Sequence, residues 1–145
     1  MQKNKLGRIL AIDYGQKRVG LAVTDELRMI AGALASVHVT EVIAFLKEYV
    51  SREIVDCFVV GYPLTLQNQL SESARFTEPF VKNLQKTFPG IPVERMDERF
   101  TSKMATAAIL ESGARKKVRQ DKALVDKVSA VIILQSYLEM KSMQG

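Results

Sequence analysis

Arg8-Ile-Leu-Ala-Ile-Asp-Tyr-Gly-Gln-Lys-Arg-Val-Gly-Leu-Ala-Val-Thr-Asp25 sets one acid between two runs of strand-forming residues. From Arg8 to Asp13 the apolar residues are continuous, the pattern of a strand covered on both faces, and after Gly15 the apolar pattern resumes over Arg18–Thr24. The stretch reads as a hairpin turning at Gly15, with Asp13 where a buried strand ends. An ionised carboxylate in such a place costs several kcal/mol unless it is paired, hydrogen-bonded or bound to metal. Two readings of Asp13 stand at this point: an acid capping its own Asp-x-Gly turn, or an acid kept for chemistry.

The chain has 145 residues, enough for one domain with a proper core and too few for two lobes of ordinary size. We expect a single domain over 1–145, with flexible ends at 1–5 and 141–145. Apolar residues make up 47%, and no run approaches the ~20 residues of a membrane helix. The polar start, Met-Gln-Lys-Asn-Lys-Leu-Gly7, leads straight into the first strand without a signal-peptide core, so a cytoplasmic protein with no membrane partner is expected. Cys57 is the only cysteine and His38 the only histidine. That excludes an internal disulfide, a cysteine-based zinc site and a His-rich metal site, and any metal would be held by oxygen. Cys57, within Asp-Cys-Phe-Val-Val60, reads as a buried strand residue, and His38 as a surface or satisfied one.

Beyond the hairpin, Met29–Val39 is apolar without helical periodicity and offers a third, antiparallel strand. Thr40 is placed to cap a helix over Glu41–Arg52, with Val42, Phe45, Leu46 and Tyr49 on one face. Ile54–Gly61 reads as a strand inside a parallel sheet, followed by a polar loop from Gly61 to Gln69 at its carboxyl end, where open α/β sheets keep their sites. Ser71–Phe88 is helical in pattern, with Pro79 either kinking the helix or beginning its main segment at Thr77. Ile91–Met96 follows as the fifth strand, then a helix over Thr101–Glu111 closed by Gly113. Ala114–Lys122 carries five cations against one anion, as an exposed loop would, and Asp121–Met140 is a long helix apolar around much of its circumference. The net charge of +5 is modest, and this cationic segment is what makes it informative about nucleic acid.

Two more acids resist a surface explanation. Glu98 follows the fifth strand in Met96-Asp-Glu-Arg-Phe100, with Asp97 pointing to the other face; Asp126 lies inside the apolar last helix, near the small Ser129 and Ala130. Three acids from distant positions, no usable histidine, no reactive cysteine and a basic flank suit Mg²⁺-assisted phosphodiester hydrolysis, in which carboxylates and substrate phosphate share the ion.

Asp13-Tyr-Gly-Gln-Lys-Arg-Val-Gly-Leu-Ala22, the Gly61-Tyr-Pro-Leu64 loop, Met96-Asp-Glu-Arg-Phe-Thr-Ser102 and Val125-Asp-Lys-Val-Ser-Ala-Val-Ile-Ile-Leu-Gln135 together resemble the YqgF (RuvX) family of bacterial ribonuclease H-like proteins. The resemblance runs from about Gly7 to Leu138 with all blocks in order. It implies an α/β, ribonuclease H-like fold: a five-stranded mixed sheet, an antiparallel three-strand meander plus parallel strands, flanked by helices. The implied function is a nuclease maturing the 5′ end of the 16S ribosomal RNA precursor, with a Holliday-junction resolvase as the older assignment. Carried over by position, the acidic site falls on Asp13, Glu98 and Asp126. Asp13 would bridge two Mg²⁺ (or Mn²⁺) ions, with Glu98 and Asp126 each holding one. Arg18 and Arg99 would lie near the scissile phosphate, Arg99 equally suiting a structural ion pair, and Arg115, Lys116, Lys117 and Arg119 would follow the RNA backbone. The loop after Pro63 departs from the family's glycine-containing turn, and Ser129 replaces a common alanine.

Three rivals remain at this level. The Asp-x-Gly-x-x-x-x-Gly run also occurs in the phosphate sites of actin-like sugar kinases and ATPases, which need two lobes where this chain has room for one. A non-catalytic nucleic-acid-binding module would not need the full acidic set. A resolvase would cut structured DNA as a two-fold dimer, and no dimer interface is legible, so a monomer or weak dimer is expected. With no Trp and scattered Phe and Tyr, recognition of RNA shape and backbone is expected over base reading, with a ribosomal partner as a further candidate.

Overall fold

The computed structural model describes residues 7–62, 74–97 and 122–143. Strands β1 (Arg8–Tyr14), β2 (Arg18–Thr24) and β3 (Ala31–His38) form the antiparallel meander. Helix α1 (Val42–Arg52) then crosses to β4 (Val55–Tyr62), which pairs parallel with β1. Helix α2 (Ala74–Thr87), strand β5 (Val93–Asp97), parallel to β4, and the long helix α3 (Lys122–Met143) complete the described elements. The five-stranded mixed sheet has the order β3-β2-β1-β4-β5, so β1 is its middle strand.

Helices on both faces explain the unbroken apolar run of β1. Leu10 and Ile12 pack with Val42, Leu46, Phe80 and Leu84 of α1 and α2, while Ile9 and Ala11 pack with Ala130, Ile133, Leu134 and Tyr137 of α3. Each fully buried Leu or Ile here contributes roughly 1.5–3 kcal/mol of hydrophobic stabilisation. Cys57 is buried on the α3 side, as its strand pattern implied. No helix among the described residues is long and apolar enough to cross a membrane.

Several local expectations shift. The third strand starts at Ala31 and not at Met29, because the Asp25 carboxylate accepts the backbone N–H groups of Met29 (2.8 Å) and Ile30 (2.9 Å) and folds 25–30 into a hairpin loop. That loop holds Arg28 at φ 58°, its guanidinium bonded to the Gly7 carbonyl and to Asp56, and leaves Leu27, Met29 and Ile30 exposed. Thr40 is not the helix cap. It lies within a 3-10 turn (Val39–Glu41) whose cap is His38, the imidazole Nδ1 accepting the Thr40 N–H. Pro79 lies inside α2, on its exposed side, so it is not the start of the segment. Helix α3 runs past Met140 to Met143. The expected helix over Thr101–Glu111 and the cationic stretch up to Asp121 lie outside the described residues.

Candidate active site

Asp13 is the next-to-last residue of β1, on the α3 side by alternation with Ile9 and Ala11. Its neighbour across β2 is Gly20, and Gly20 in turn pairs with Ser36 of β3, so the three form one row across the meander. The middle of that row has no side chain, and α3 fills the gap. A Cβ on Gly20 would lie 2.1 Å from the Asp126 carbonyl oxygen and 3.2 Å from its Cα, which only a glycine avoids. Ser129 and Ala130, the small residues that follow, are buried on the same helix. The close approach seats Asp126 against β2, near enough for its carboxylate to act on Asp13.

The turn before β2 prepares a second contact. Gly15 donates its N–H to the Arg18 carbonyl at 3.0 Å, and a Cβ on Gly15 would meet that oxygen at 2.6 Å. Arg18, held at its backbone, lies two residues before Gly20 and so on the same face. Its Nε donates to Asp126 Oδ2 at 2.8 Å, and the Ser36 hydroxyl lies 3.4 Å from the same oxygen. The pair sits at a half-open rim, the Arg18 side chain 36% and Asp126 21% exposed.

The two acids therefore have different surroundings. Asp126 has a guanidinium beside it. Asp13 has no hydrogen-bond donor among the described residues; burial, and after it the Asp126 carboxylate, pushes its carboxyl up to about 7. An oxygen-only pair, one member uncompensated and half-buried, fits a hard divalent cation, which would relieve both the burial and the like-charge cost. Among the described residues no three His, Cys, Asp or Glu side chains converge as a complete ligand set.

Of the residues singled out in the sequence, the fold brings Asp13, Asp126 and Arg18 together. Glu98, Arg99, Arg115, Lys116, Lys117 and Arg119 lie outside the described residues. Two contributors were not foreseen: Ser36, read only as part of an apolar strand, and Gly20 as the seat of α3. The signal for both is register, since once the hairpin closes at Gly15 and Arg18, Asp13 must face Gly20 and the next strand supplies Ser36. Cys57 is no rival nucleophile. Burial, and then nearby Glu94, push its thiol up to about 11.

A family model described as "RuvX: Holliday junction resolvase" matches residues 7–140. A "Putative pre-16S rRNA nuclease" of Parabacteroides distasonis is 55% identical over 139 residues, spanning 96% of this chain and 99% of the relative. A protein of the same name from Porphyromonas gingivalis is 56% identical over 134 residues, spanning 92% and 97%. Among solved structures, the fowlpox virus resolvase bound to Holliday junction DNA superposes with a TM-score of 0.57 at 14% identity, covering 92% of this chain and 98% of that one. Thermus thermophilus RuvC with its Holliday junction substrate gives 0.56 at 16%, covering 94% and 96%. At such identities the structures speak for the ribonuclease H-like fold alone, and the sequence matches speak for the family. With the family model spanning nearly the whole chain and relatives of more than half identical sequence, this chain belongs to the RuvX family of nucleases.

Proposed function

We propose that the chain is a metal-dependent nuclease that matures the 5′ end of the 16S ribosomal RNA precursor in the bacterial cytoplasm. The observation that carries the chemistry is Asp13, a carboxyl raised to about 7 at the end of the middle strand with Asp126 beside it and no donor among the described residues. The substrate class rests on the relatives' name and on their coverage of almost the entire chain.

Asp13, Glu98 and Asp126 are the residues that would hold Mg²⁺, or Mn²⁺ in its stead. A bound cation of this kind lowers the pKa of water and stabilises the oxygen leaving a phosphodiester. Asp97 is exposed and shares by alternation the face of Arg95, which pairs with Glu78 of α2, and this supports Glu98 over Asp97 as the third acid. Arg99 suits the scissile phosphate. The cations Arg115, Lys116, Lys117 and Arg119 suit the RNA backbone, where each phosphate contact steepens the salt dependence of binding by about one unit. The 145 residues act as one domain, with the acid end of the sheet as its working edge.

The family's description favours a second reading, a resolvase acting on four-way DNA junctions. One experiment separates the two: Mg²⁺-dependent cleavage by wild type and Asp13→Asn on a 16S precursor 5′-leader RNA and on a four-way DNA junction. Cutting of the RNA alone, lost in the variant, is the expected result. Symmetric cutting of the junction alone would replace the ribonuclease by the resolvase, and RNA cutting that survives in Asp13→Asn would remove Asp13 from the site.

A further inference from the structure

We propose that Arg18 is a positioning residue for Asp126, orienting its carboxylate toward the cation, and that it does not serve as a substrate-phosphate contact. The proposal rests on the reading of Asp13 and Asp126 as cation ligands. Its basis is the geometry of the motif Asp13-x-Gly15-x-x-Arg18-x-Gly20, in which every specified residue after the acid acts on Asp126 or on the turn that presents it. Gly15 lets the turn close on the Arg18 carbonyl, Gly20 opens the seat on which the Asp126 backbone rests, and Arg18 Nε takes Asp126 Oδ2 at 2.8 Å. The Ser36 hydroxyl reaches the same oxygen from the next strand at 3.4 Å.

Among the described residues, Oδ2 thus has two donors and Oδ1 has none. A carboxylate held by one oxygen has a defined plane, and its other oxygen is left for a cation. The Nε bond to Oδ2 ties the arginine side chain to the helix. Lysine, a point charge on a flexible stem, could neutralise Asp126 but could not orient it in this way. A phosphate contact that needs only a point charge, by contrast, accepts lysine.

Electrostatics gives the test its sign. Removing a positive charge beside two carboxylates should by itself tighten cation binding, so a loss of affinity reports lost orientation. We would titrate Mn²⁺, followed by electron paramagnetic resonance, into wild type, Arg18→Met, Arg18→Lys and Asp13→Asn. Affinity for the 5′-leader RNA would be measured in parallel in EDTA across a salt series. The expected result is a 10-fold or greater weakening of Mn²⁺ binding in both Arg18 variants, the range for partners that orient metal ligands. The salt slope of RNA binding should be the same in Arg18→Met as in wild type, since no phosphate contact is lost. Mn²⁺ binding that is unchanged or tighter in the Arg18 variants would overturn the proposal. So would a salt slope that falls by about one in Arg18→Met with metal affinity intact, which would return Arg18 to the phosphate. If Asp13→Asn binds Mn²⁺ as wild type does, the cation site itself is misplaced and the role of Arg18 falls with it.

Discussion

Replacing Gly20 with alanine puts a methyl group where α3 already is. The new Cβ would stand 2.1 Å from the Asp126 carbonyl oxygen, and ordinary van der Waals contact begins near 3.4 Å, so helix and strand must part by about 1.3 Å. Both sides of the contact are backbone, and no side-chain rotation relieves it. Overpacking of this kind typically costs 1–3 kcal/mol, partly offset by the ~0.5–1 kcal/mol that alanine gains over glycine through the unfolded chain. We expect a net loss of about 1–2 kcal/mol, read as a melting temperature lowered by roughly 3–8 °C for a chain of this size. The displaced residue is Asp126 itself, and a misplacement of about 1 Å commonly costs ~10²-fold in rate. Cleavage should therefore fall far more than stability does. Gly90→Ala is the control, since a Cβ there meets nothing within 4 Å, and it should be neutral or slightly stabilising. Denaturant unfolding and single-turnover RNA cleavage measure both quantities. A Gly20→Ala protein that melts and cleaves as wild type would refute the seat; one that is destabilised but fully active would separate the seat from the placement of Asp126.

Asp13 carries a stability cost in the metal-free protein. Its folded pKa, about 7, lies above the ordinary carboxylate value, so the folded state holds a proton that the unfolded state has lost. The cost is absent below about pH 4, grows through the interval up to about pH 7 and is complete above it. Asp13→Asn should thus be more stable than wild type at pH 8 in EDTA, by up to about 4 kcal/mol, and equal to it at pH 4; a constant difference between them would contradict the assignment. Glu78 shows the opposite sign: the bidentate Arg95 guanidinium holds its carboxyl below the ordinary range, so the pair's contribution is present above about pH 4.5 and fades as acid protonates it. Arg95→Met also strips donors from the Val60 and Gly61 carbonyls, and urea unfolding at pH 7 should show a loss of about 1–3 kcal/mol that shrinks at pH 3. Cys57, buried with its thiol near 11, should react with Ellman's reagent at pH 8 only as fast as the protein opens; rapid labelling of the native state would show that β4 is not covered by α3.

Hydropathy alone carried β1, β2 and β4, because a strand covered on both faces must be apolar on both, and that requirement is written into consecutive residues such as Ile9 to Ile12. The acid at Asp13 was legible for the same reason, as an exception to that pattern. Local polar competition was harder to read. At Met29 and Ile30 two apolar residues that suit a strand are drawn into a loop by one carboxylate, Asp25, and Thr40 is taken into a 3-10 turn capped by His38 ahead of a helix that has no side-chain cap.

What Asp13 and Asp126 are to each other belongs to the tertiary structure. Arg18 and Asp126 are 108 residues apart in sequence, and nothing in either neighbourhood names the other. The raised carboxyl of Asp13 and the donors on Asp126 exist only once Gly20 lets α3 settle on β2. The sequence by itself determined which residues could be acids at the edge of a buried sheet, since the cost of burying a charge depends on residue type and the local pattern. Only the packed fold decided which acid has a guanidinium beside it and which has no donor among the described residues, since that depends on distances between residues far apart along the chain.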